Sequence, residues 1–75
     1  MTLNELGDKL KQMHSEAPKG DTVVMINLFG IKFADEINQN KYSKKEIIEL
    51  SGIPIAYLIE LSKGIKLAKY VNVNE

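Results

Sequence analysis

Cysteine is missing from all 75 residues, which removes disulfides, thiolate nucleophiles and cysteine metal sites together. Arginine is missing too: all ten basic residues are lysines. Arginine is the commonest side chain to read guanine through paired hydrogen bonds, so its absence counts against sequence-specific DNA reading while leaving lysine contacts to phosphate open. Histidine occurs once, as His14. It has no recognisable metal or triad partners and is read as a solvated surface residue. No apolar run approaches the roughly 20 residues of a membrane helix. The start, "MTLNELGDKL", lacks the basic opening and apolar block of a signal peptide. A cytoplasmic location without a membrane partner is the expectation. No glycine loop for phosphate and no metal-ligand cluster is present, and the adjacent carboxylates Asp35 and Glu36 read as a solvated helix face. No enzyme activity, cofactor or small-molecule substrate is therefore expected.

What is there amounts to one small domain spanning residues 1–75, which with an initiating Met1 is expected to be a complete short protein. A chain of this size buries only about 60% of the surface its unfolded state exposes, so half-covered elements tend to recruit a partner and dimerisation is an open option. Net charge is zero but uneven. Residues 1–40 carry four lysines against six acids, and residues 41–75 carry six lysines against four acids.

Thr2 and Glu5 have the spacing of a capping box, and Leu3, Leu6, Leu10 and Met13 follow at 3-4-3 spacing, which predicts a helix over residues 2–16 weakened by Gly7. The segment "DTVVMINLFGIKFADEINQN" is the most apolar. Val23 to Phe29 alone could form a buried strand, but only the short "YVNVN" tail offers a pairing partner, and Ile26, Phe29, Phe33 and Ile37 repeat at helical spacing. A helix is preferred, begun by Asp21 or Thr22. Its first half is apolar around nearly the whole circumference, so it is either central in the fold or shared with a second subunit, and Gly30 would let a neighbouring helix come close. "NQNKYS" reads as a polar turn.

The stretch "KKEIIELSGIPIAYLIELSKG" then has the outline of helix, turn and helix. Ser43 and Glu46 suggest a second capping box, Ile47, Ile48 and Leu50 the buried side, and Gly52 the turn residue that accepts positive φ. Pro54 suits a first helical turn. Ile47, Ile53, Leu58 and Leu61 stand where this motif needs apolar residues, whereas Ile48 fills a position that is typically small, which suggests a wider or rotated crossing. Pro54, Leu58, Leu61, Ile65 and Ala68 predict a helix from Pro54 to about Tyr70, weakened or bent at Gly64. The expected fold is all-α, a compact bundle of four or five helices containing a helix-turn-helix-like unit.

The other face of that last helix bears on function. A DNA-reading helix normally presents Arg, Asn, Gln, Ser or Thr to base edges, but Ile55, Ala56 and Ile59 cannot read hydrogen-bonding patterns, and Glu60 faces phosphate unfavourably. Two lysine clusters, Lys41, Lys44 and Lys45, and Lys63, Lys66 and Lys69, could hold a phosphate backbone or could be solvated surface.

The runs "GIKFADEI" and "SKGIKLAKYV", with the "KGD" turn and the motif between them, make most of the chain resemble a family of small, uncharacterised bacterial proteins that are helix-turn-helix-like. The resemblance implies an all-helical fold and DNA binding. Two functional expectations stand side by side. In one, Lys44, Lys45, Lys63, Lys66 and Lys69 hold DNA phosphates with weak sequence reading. In the other, Ile55, Ile59, Leu67 and Tyr70, or the Val23 to Phe29 surface, are buried in a homodimer or against another protein partner.

Overall fold

Leu3 to Ser15 form α1 because a complete capping box starts the helix: Thr2 Oγ1 accepts the Glu5 N–H at 3.1 Å, and Glu5 Oε1 accepts the Thr2 N–H at 2.7 Å. These bonds satisfy donors that a helix start otherwise leaves open. In this computed structural model, which describes residues 1–71, α2 spans Thr22–Gln39, α3 Lys44–Ser51 and α4 Leu58–Leu67, with a short 3-10 turn over Ile55–Tyr57 before α4. The described residues contain four α-helices and no strand, and none of the helices is long and apolar enough to cross a membrane. The strand alternative for Val23 to Phe29 is thereby overturned. Most of the "YVNVN" tail, Asn72 onward, lies outside the described residues.

Asp21 precedes α2 as expected, but its side chain makes no capping hydrogen bond. Ser43 caps α3 by accepting the Glu46 N–H at 3.3 Å, and only this half of the expected second capping box forms. Gly52 ends α3 at φ 76°, the left-handed conformation that a glycine adopts without steric cost. Ser51 completes the turn. Its buried hydroxyl donates to Ile48 O at 2.7 Å and accepts the Ile53 N–H at 3.3 Å.

The core is built from Leu6, Leu10, Ile26, Phe29, Ile37, Ile47, Ile48 and Leu61, all fully buried. Each such side chain stabilises the fold by about 1.5–3 kcal/mol relative to exposure. Helices pair out of sequence order: α3 lies chiefly on α1, and α4 chiefly on α2. The α2–α4 crossing is a backbone contact. A Cβ on Gly30 would sit 2.8 Å from both Leu61 O and Ile65 N, and one on Gly64 would overlap Asn27 O. Gly64 therefore sits at the closest point of the crossing, inside a helix that continues past it to Leu67. Gly7, expected only to weaken α1, faces α3, where a Cβ would meet Leu50 Cβ at 2.8 Å.

Several local expectations are corrected. Leu50 is 46% exposed, because the buried side of α3 is formed by Ile47, Ile48 and Ser51. Pro54 does not begin an α-helix: its ψ of 142° is extended, and the chain passes through the 3-10 turn before α4 starts at Leu58. Helix also ends at Leu67, three residues short of Tyr70. His14 is half-buried and packs edge-on against Tyr57, ring centroids 5.4 Å apart, which ties the end of α1 to the turn before α4. Asp35 is exposed as expected, whereas the neighbouring Glu36 accepts a 2.9 Å ion pair from the Met1 amine.

Candidate nucleic-acid interface

Three of the five lysines singled out in the sequence come together through the pairing of α4 with α2. Lys44, in the first turn of α3, lines an open groove of about 640 Å³ with Lys66 on α4 and Lys69 just beyond it. Asp35 and Asn38 of α2 form the opposite wall, and Ser62 adds a hydroxyl from α4. The three ammonium groups belong to exposed residues and have no ion-pair partner among the described residues. Asp35 is the single acid among the described lining residues, which together carry an excess of two positive charges.

The other two lysines stand apart. Lys45 is exposed on α3 and does not line the groove. Lys63 is one turn before Lys66 and pairs with Glu60 at 3.1 Å, an i,i+3 contact on the surface of α4. Such an exposed pair adds only a few tenths of a kcal/mol to stability, but it offsets the Lys63 charge where an anion would approach. The carboxylate expected to repel phosphate is thus held by the neighbouring lysine.

The four apolar residues proposed for a partner face are all uncovered. Ile55 is 54% exposed, Ile59 65%, Tyr70 81%, and Leu67 is also exposed. Ile59, Lys63, Leu67 and Tyr70 follow at 4-4-3 spacing, so α4 and the turn after it present one outer stripe, with Ile55 exposed in the 3-10 turn before it. Two shallow clefts run along the stripe: one of about 420 Å³ beside Leu58 and Ile59, and one of about 270 Å³ between Leu67 and Tyr70. Lys63 and Lys66 border both clefts. Val23 and Val24 of α2 are exposed as well, while Ile26 and Phe29 on the same helix are buried in the core. The Val23 to Phe29 surface is therefore divided between core and solvent.

Nothing in the sequence marks Asn38, Asp35 and Ser62 as parts of a groove. The spacing of Ala34 and Asn38 puts them on one face of α2, but only the glycine crossing shows that this face looks toward α4 and α3. No group of histidine, aspartate and glutamate able to hold a metal ion occurs among the described residues.

Residues 2–74 match a family described as an HTH-like domain. No curated protein and no solved structure matches the chain.

Proposed function

The chain belongs to the HTH-like domain family, and from that premise we propose that it is a non-catalytic module that binds nucleic acid through its phosphate backbone. Lys44, Lys66 and Lys69 grip the backbone in the groove between α2, α3 and α4, while Lys45 and Lys63 flank it. The observation that carries this reading is that groove: Lys44 of α3 joins Lys66 and Lys69, which lie far along the chain from it, and each is without a partner carboxylate among the described residues. Base-edge reading contributes little, because Ile55 in the 3-10 turn and Ile59 in the first turn of α4 offer no side-chain donors or acceptors.

The test is fluorescence anisotropy with a labelled oligonucleotide across a salt series. Three phosphate contacts imply that log K falls against log salt with a slope of about 2 to 3. Lys44→Glu with Lys66→Glu should weaken binding by about tenfold or more at low salt. No binding by the unaltered protein at low salt would sink the proposal.

A second reading is favoured by one observation, the exposure of Ile55 and of the stripe through Ile59, Leu67 and Tyr70. In that reading the stripe is buried against a second copy or another protein. Sedimentation of the unaltered protein beside Ile59→Glu separates the cases: a dimer that the substitution dissociates supports this reading, and a monomer at all concentrations argues against self-association.

A further inference from the structure

The outer stripe of α4 is apolar where a duplex reader would be polar, yet lysines border it on the side of the groove. A duplex keeps its bases stacked inside, with only their edges and its phosphates outward, so apolar side chains such as Ile55 and Ile59 find little there beyond thymine methyl groups, and the Tyr70 ring finds no base face to stack on. A single strand differs: each base presents an apolar π face that an aromatic ring can stack on whatever the sequence, with cations following the backbone alongside.

Tyr70 has the exposure and the setting for such stacking. It is 81% exposed in the turn after α4, and with Leu67 and the stems of Lys63 and Lys66 it encloses the cleft of about 270 Å³. Charge is distributed to suit a strand. On the outer side the Lys63 ammonium is held by Glu60, leaving an apolar surface, while Lys44 and Lys69, which have no ion-pair partner among the described residues, line the groove. Lys66 lines both places. A strand whose phosphates pass Lys66 into the groove therefore has its bases beside Leu67 and Tyr70.

Building on the phosphate grip proposed above, we propose that this surface binds single-stranded nucleic acid, with Tyr70 as the stacking platform, Leu67 as its apolar floor, and Lys66 as the junction between base and phosphate sides. The occupant is identified by this complementarity of charge and aromatic surface. It requires an unpaired base, which distinguishes it from the phosphate grip alone.

The experiment compares three labelled probes of equal length at one salt concentration: a thymidine single strand, an abasic deoxyribose-phosphate strand and a duplex. Circular dichroism confirms the fold of each variant. The unaltered protein should bind the thymidine strand about tenfold more tightly than the abasic strand, the range expected for one stacked base. Tyr70→Ala should erase that difference, and Tyr70→Phe should keep it. Equal affinity for thymidine and abasic strands would overturn the stacking proposal while leaving the phosphate grip standing, as would a preference for duplex that Tyr70→Ala does not alter. Failure to bind any of the three would overturn both. A dimer that Tyr70→Ala dissociates, with no difference between probes, would assign the stripe to self-association instead.

Discussion

The two helix pairs are both closed at glycine, but they are closed differently. Where α2 meets α4, each glycine faces the backbone of the other helix: Gly30 lies against Leu61 O and Ile65 N, and Gly64 against Asn27 O and Gly30 Cα. Where α1 meets α3, a Cβ on Gly7 would press only on Leu50 Cβ, with the Leu50 and Ser51 backbone at the ordinary contact distances of 3.4 and 3.5 Å, and Leu50 is 46% exposed. A Cβ is as fixed as the backbone that carries it, but the single close contact at the solvent-bordered edge of α3 is relieved by a smaller shift than the deeper backbone contacts on both sides of the α2–α4 crossing. The α2–α4 crossing should therefore be rigid to substitution and the α1–α3 crossing more forgiving.

The sharpest way to break this contrast is Gly64→Ala. The added methyl overlaps Asn27 O and presses on Gly30 Cα, so α4 must leave its seat, and a loss of about 3 kcal/mol is expected from chemical denaturation. A loss below about 1 kcal/mol would mean that the crossing is looser than the geometry implies. Gly7→Ala comes next. The methyl gains up to about 1 kcal/mol of helix preference but meets Leu50 Cβ, for a net loss of about 1–2 kcal/mol. Equal losses at Gly7 and Gly64 would erase the distinction between the two pairs.

Thr2→Ala probes α1 away from either crossing. Loss of the side-chain oxygen that accepts the Glu5 N–H should cost about 1 kcal/mol, read as a lower melting temperature with the groove variants unaffected. The smallest effect is one of pH. The Thr2 backbone N–H, and then its hydroxyl, hold the Glu5 carboxyl below its ordinary value of 4.5. A carboxyl depressed in the folded state contributes stability above the unfolded value and loses it as pH falls through the folded one. Melting followed from neutral pH to below that range should show a drop that Glu5→Gln lessens. An unchanged drop in Glu5→Gln would place the acid sensitivity elsewhere.

Much of the local structure was legible in the sequence, and its limits have a common cause. Thr2, Ser43 and Gly52 announced their roles because a cap or a positive-φ turn depends on a few neighbouring atoms. The stripes through Leu6 and Leu10, and through Leu61 and Ile65, marked buried faces for the same local reason. Periodicity does not say which helix a face will meet. Leu50 falls at the edge of the α3 stripe, and only the approach of α1 at Gly7 decides that it looks outward. Gly7 and Gly64 read as weaknesses because the benefit of a missing side chain lies on the other helix. Pro54 stands before the helix and not in its first turn, since its φ of −59° suits a first turn but its ψ of 142° does not. The lysines of the groove were visible singly. Their convergence was not, because Lys44 and Lys66 are brought together by helices that follow one another in sequence but rest on different partners.

That order of pairing also bears on how the chain becomes ordered in time. Since α1 seeks α3 and α2 seeks α4, neither half of the sequence contains a matched pair. A cut after Lys41, between α2 and α3, would leave a fragment with α1 and α2 and another with α3 and α4, each without its main support. Short isolated helices are marginal in water, so the fragments should be largely unstructured apart and regain helicity when mixed. The bundle should accordingly melt in one step, with both crossings lost together.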